Sequence, residues 1–94
     1  MLKVTVSESA QASVLKLEGR LVGPWVREVE NVWNSITNSD KGQQLAVDLC
    51  QVTFVDAAGK ELLKRMHKAG ASLDAAGPLV KYIVQTIQSG HDGR

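Results

Sequence analysis

The chain is poor in the features that brace or anchor many proteins. One cysteine, Cys50, among 94 residues excludes an internal disulfide and a cysteine-built metal site, and it suits a reducing compartment. No apolar run approaches the ~20 residues of a membrane-spanning helix. The opening MLKVTVSESA lacks the long apolar segment of a secretory signal. A cytoplasmic protein without membrane insertion is the simplest expectation. Neither sign of charge dominates: 11 Lys and Arg stand against 10 Asp and Glu, which argues against a nucleic-acid partner. The two histidines, His67 and His91, stand alone in the sequence and suggest no metal site. No paired acids or nucleophile–base set can be assembled, so an enzyme is the least favoured class. No glycine-rich phosphate loop is present, and no cofactor is expected.

What is present is aliphatic. The apolar fraction is 44% and the aromatics are only Trp25, Trp33, Phe54 and Tyr82, so Val, Leu, Ile and Ala must fill the core. The length suits one small domain, expected over residues 1–89, with 90–94 as a polar, flexible tail.

Leu2, Val4 and Val6 alternate with polar residues, as in a half-buried strand. Ser7 to Ser13 reads as a turn. Val14, Leu15 and Leu17 read as a second strand, hairpin-paired to the first, with Arg20 and Leu21 leaving it for the loop Val22-Gly23-Pro24. Pro24 suits the first position of a helix. Val26, Val29, Trp33 and Ile36 then give that helix one apolar face, and the turn formers of 37–42 end it. Leu45 to Leu49 is nearly all apolar, as in a central parallel strand buried on both faces. Val52 to Val55 extends it after a kink at Gln51. A second helix is expected over 57–69 with Leu62, Leu63, Met66 and Ala69 inward and Gly70 as its stop. A short strand around Leu73 follows. A last helix restarts at Leu79 with Leu79, Val80, Ile83, Val84 and Ile87 as its apolar face. The order β-β-α-β-α-β-α implies an α/β fold with a mixed four-stranded sheet. Strands two to four are parallel through right-handed crossovers, the first strand is antiparallel at one side, and the helices pack on the sheet.

With these elements placed, the chain resembles the STAS domain, the family of anti-sigma factor antagonists and of the cytoplasmic tails of some anion transporters. The resemblance rests on VLKLEGRL, LAVDLCQVTFVDAAGKELL and KAGASLDAAGPLVKYIVQTI, and it runs over nearly the whole chain. The middle stretch is the most specific: an apolar strand with an aspartate, a short apolar segment ending in aspartate, two small residues, glycine and a leucine-rich helix. In phosphorylation-switched members the pattern is Asp-Ser-Ser-Gly, with the serine before the glycine modified. Here Ala57 and Ala58 occupy both serine positions, so no phosphorylation is expected at Ala58.

The resemblance implies a non-enzymatic interaction module that binds an anti-sigma factor or a GHKL-type kinase. It also permits an accessory subunit that attaches to the ABC ATPase of a lipid-transport complex. A module binding a small anion or nucleotide at the helix start is the remaining alternative. The expected docking residues are Asp56, Ala57, Ala58, Gly59, Lys60 and Lys64, joined by Arg20 and Trp25 from the earlier loop, since both segments follow strand C-termini. Each has a plainer role beside it. Asp56 is an N-cap residue. Gly59 allows close packing. Lys60, Lys64 and Lys68, spaced i, i+4, i+8, make a basic line that a solvated face also explains. Trp25 covers the edge of the core or anchors an interface. Asp48, inside an apolar strand, is expected to bond loop backbone and shape the junction. Cys50 is expected as a small buried hydrophobe.

Overall fold

The computed structural model describes residues 2–9, 11–39 and 44–89. The elements are β1 (Leu2–Glu8), β2 (Ala12–Leu21), α1 (Pro24–Ser39), β3 (Gln44–Val55), α2 (Ala57–Lys68), β4 (Ser72–Ala75) and α3 (Pro78–Ser89). The sheet order is β1-β2-β3-β4, with β1 antiparallel to β2 and the other pairs parallel. This is the expected order and topology. The expected tail at 90–94, His91 within it, and the 40–42 part of the expected turn lie outside the described residues.

Period-two patterning builds the floor of the core. Ser13, Leu15, Leu17 and Leu21 of β2 are buried, as are Val47 and Leu49 of β3. The two parallel crossovers run the same way across the sheet, so right-handedness puts α1 and α2 on one face. There α1 touches β2 and α2, and α3 packs on β3, β4 and α2. Val26, Val29, Trp33 and Ile36 of α1 are buried as their spacing predicts. So are Leu62, Leu63 and Met66 of α2.

The structure corrects four expectations. The third strand is not buried on both faces: Ala46 and Asp48 are half-buried and Cys50 is exposed, because no described element covers the far side of the sheet. Cys50 is therefore a surface thiol, not a core residue. Ala69 becomes the C-cap of α2 and is exposed. Leu79 lies in the first turn of α3 and is 49% exposed, since Val80, Ile83, Val84 and Ile87 already fill the inward stripe.

Element ends moved too. Ser9 bonds back across the hairpin: its N–H donates to the Ala12 carbonyl at 2.8 Å and its Oγ accepts from the Ala12 N–H at 3.2 Å. The strands therefore run further into the polar stretch than apolar patterning predicts. Arg20 and Leu21 belong to β2 rather than to the following loop. Helix α1 continues through Ser39, with the Thr37 hydroxyl donating to the Trp33 carbonyl at 3.1 Å. At the end of α2, Gly70 N–H meets the His67 carbonyl at 3.0 Å and Ala71 N–H the Met66 carbonyl at 3.1 Å, the paired bonds of a Schellman stop.

The kink in β3 is real and has a mechanism. Lys16 faces Asp48 but Glu18 faces Gln51, and Gly19 faces Val52 but Arg20 faces Phe54. Each shift places one extra residue on β3, a bulge that bends the strand and raises its twist. Asp48 Oδ1 accepts from the Cys50 N–H at 3.0 Å and holds the first bulge. The Thr53 hydroxyl reaches the Gly19 carbonyl at 3.3 Å across the second. The twofold offset restores the inward direction at Val52 and Val55, both buried, and delivers Asp56 to the end of the sheet.

Candidate functional site

The junction between β3 and α2 is built on close approach. An added Cβ at Gly59 would lie 2.8 Å from the Leu21 carbonyl oxygen, 2.8 Å from Val55 Cγ1 and 3.0 Å from Leu21 Cγ. Only a residue without a side chain lets the first turn of α2 sit this deep against the ends of β2 and β3. That depth brings the start of α2 next to the β2–α1 loop.

Asp56 then joins the two. Its backbone is extended (φ −86°, ψ −176°), as an N-cap requires. Oδ1 accepts from the Gly59 N–H at 2.8 Å. Oδ2 accepts from the Gly23 N–H at 2.9 Å. The Asp56 N–H donates to the Leu21 carbonyl at 3.1 Å. The carboxyl is held below its ordinary value, chiefly by the Gly23 N–H and next by the Gly59 N–H, both of which favour the charged form.

The loop has its own turn. Gly23 takes φ +52°, a left-handed conformation that glycine adopts freely. Trp25 N–H bonds the Val22 carbonyl and Val26 N–H the Gly23 carbonyl, both at 3.1 Å. Trp25 is half-buried and packs against the core cluster, so it covers the core edge while keeping part of its ring at the surface.

The structure brings some of the expected residues together and separates others. Asp56, Ala57, Ala58, Gly59 and the 22–25 segment, which is the β2–α1 loop with the start of α1, form one contiguous rim at the C-terminal end of the parallel strands. Ala57, Ala58 and Lys60 are exposed on it. Arg20 stands one step back: it alternates with buried Leu21 and faces Phe54 in the register, which places it on the open side of the sheet. Lys64 is committed elsewhere, its Nζ 3.0 Å from Glu61 Oε2 with the Lys64 side chain 22% exposed. The basic line is thus interrupted, and Lys60 and Lys68 are its exposed members. Arg65, beside it, bonds Glu30 of α1 at 2.7 Å.

One feature of the rim was not legible in sequence. The Gly23–Asp56 bond joins residues far apart in the chain, and no local pattern names that partner. Beside the rim, Phe54 is 44% exposed, since the second bulge turns it outward. Asp48 does bond backbone, as expected, though within its own strand. Among the described residues no group of three His, Cys, Asp or Glu could hold a metal ion, and no helix is long and apolar enough to cross a membrane.

No protein-family model matches the sequence, and no curated protein matches it. Solved structures do. An anti-sigma factor antagonist from Mycobacterium paratuberculosis superposes with a TM-score of 0.80 at 18% identity, over 98% of this chain and 80% of that one. The anti-sigma factor antagonist SpoIIAA in its unphosphorylated form gives 0.69 at 19% identity, over 89% and 83%. An antisigma-factor antagonist STAS domain from Rhodobacter sphaeroides gives 0.54 at 17% identity, over 81% and 86%. The chain has the STAS fold.

Proposed function

We propose that this chain is a non-enzymatic protein-interaction module of the anti-sigma factor antagonist kind, docking through the rim formed by residues 22–25 and 56–60. The observation that carries this reading is the Asp56 carboxylate, which bonds Gly23 and Gly59 at once and so presents two distant segments as one surface. The solved structures that it matches over most of both chains include anti-sigma factor antagonists, one of them in its unphosphorylated form. The partner that best fits is an anti-sigma factor or GHKL-type kinase. Occupying that regulator frees what it had sequestered.

Regulation at the usual place is absent in this reading. Position 58 is an exposed alanine in the first turn of α2. A phosphate there would sit at the positive end of the helix dipole and add about 1.5–2 negative charges to the rim. Alanine accepts none, so position 58 itself stays small and uncharged beside Asp56, as though fixed in the dephosphorylated state.

Affinity capture from the source cell tests the assignment. Recovery of a GHKL-type kinase or sigma regulator supports it. Recovery of an ABC ATPase instead moves the chain to an accessory role in transport. Ala58→Asp is expected to weaken capture of the same partner at least severalfold while the domain stays folded, because an acidic residue is tolerated in a first helical turn. Unchanged affinity removes the junction from the interface.

A further inference from the structure

We propose that the Asp56 carboxylate is a coupling device: it ties the 22–25 segment, the β2–α1 loop and the start of α1, to the first turn of α2, so that a disturbance at either segment is felt at the other. Its use in docking rests on the interaction reading above, but its test is made on the free protein.

The two carboxylate oxygens are divided between the segments. Oδ1 takes the Gly59 N–H at 2.8 Å and Oδ2 takes the Gly23 N–H at 2.9 Å. The Asp56 main chain adds a bond to the Leu21 carbonyl at 3.1 Å, just before the loop. The loop's own bonds, Trp25 to Val22 and Val26 to Gly23, shape its turn without attaching it to α2. The side chain of one residue therefore supplies the link between the loop and the helix start. A hydrogen bond to a charged acceptor is among the stronger ones in a protein, and both segments here draw on the same carboxylate. A negative group placed at the exposed position 58 repels that carboxylate and competes for the same helix N–H groups. The consequence is felt at Gly23 although residue 58 does not bond it.

Amide hydrogen exchange on the full chain, read by NMR, tests this. In the wild type the Gly23 and Gly59 amides are both expected to be protected. Asp56→Ala should raise both exchange rates together, by roughly tenfold or more, the worth of a bond to a charged acceptor. Asp56→Asn keeps one acceptor oxygen and remains a good N-cap, so Gly59 should stay protected while Gly23 alone speeds up. Ala58→Asp should speed Gly23 as well. The amides of Leu17 and Leu49 report whether the fold is intact in each variant. An unchanged Gly23 rate in Asp56→Asn or in Ala58→Asp, with Leu17 and Leu49 protected, overturns the coupling. Weakened partner capture by Ala58→Asp without any change at Gly23 overturns the coupling alone. A changed Gly23 with unaltered capture overturns only the docking reading.

Discussion

Asp48 and Asp56 lie in the same apolar stretch and do chemically similar work at different range. Each accepts backbone N–H groups, and each carboxyl is held below its ordinary value by them. Asp48 bonds Cys50, two residues on in its own strand, at 3.0 Å. Asp56 bonds Gly59 in the next helix and Gly23 in a loop encoded far earlier. One carboxylate fixes the shape of a strand; the other fixes the relation between elements. The residue type and the apolar setting are shared, so range is decided by where the bulged strand ends. Asp48 sits mid-strand, where the donor it bonds is two residues on. Asp56 sits at the strand's end, where two chain segments meet.

The comparison is broken most forcefully at Gly59, which lets those segments meet. Gly59→Ala places a methyl 2.8 Å from a backbone carbonyl and a buried valine. Neither the end of β2 nor buried Leu21 can yield cheaply. Overpacking of this kind costs about 1–3 kcal/mol, expected as a lowered denaturation midpoint with unchanged slope. The α2 start should also lift from the rim, so the Asp56–Gly23 bond weakens in the same variant. Full stability in Gly59→Ala would mean that the close approach does not organise the junction.

Acid sharpens the contrast between the two carboxylates. Both have folded-state values below the ordinary 3.8. The stability they contribute is therefore present above that value, where the unfolded chain has also lost its proton. It is lost as pH falls through the lowered folded values, because the unfolded state then binds more protons. Removing either carboxylate flattens this acid limb. Asp56→Asn should flatten it more than Asp48→Asn, since Asp56 holds two bonds between elements and Asp48 one within a strand. Denaturant midpoints measured from pH 2 to pH 6, on the order of one step per pH unit, read the slopes directly. Equal flattening would make the difference in range energetically irrelevant.

Much of this architecture was readable from period alone. The three-four spacing from Val26 to Ile36 reports burial directly, because each side chain's direction follows from its position in the element, whereas the alternation at Leu2, Val4 and Val6 places a strand but not its burial, since Leu2 is buried, Val4 half-buried and Val6 39% exposed on the edge strand. The order of elements then fixed the topology through the handedness of crossovers. Cys50 and Leu79 are expected inside and lie outside. Apolar residues count equally in a pattern whichever face they occupy, and the bulges and the one-sided helix layer decide the face. Position also told where the rim would be, since the ends of β2 and β3 lie side by side. It did not tell that Lys64 would pair with Glu61, that Arg20 would point to the open side of the sheet, or that Asp56 would reach Gly23. Those facts depend on register and on side-chain reach.

The smallest expected effect tests how far the Asp48 carboxylate acts. Cys50 is exposed, which by itself suggests a reactive thiol. Its thiol is nevertheless pushed up from the ordinary value, first by a hydrogen bond with Asp48, then by partial desolvation and by the charges of Asp48 and Asp74. Less of it is thiolate at a given pH, and the thiolate is the nucleophile. The wild-type protein should therefore react with iodoacetamide more slowly at pH 8 than a free thiol in a short peptide. Asp48→Asn removes the nearest negative charge and should raise the rate severalfold, with the pH–rate profile moved to lower pH. Asp56→Asn should leave the rate unchanged, because Asp56 is not among the groups that perturb Cys50. An equal acceleration in both variants would mean that the thiol responds to general loosening of β3, and the local reach assigned to Asp48 would fail.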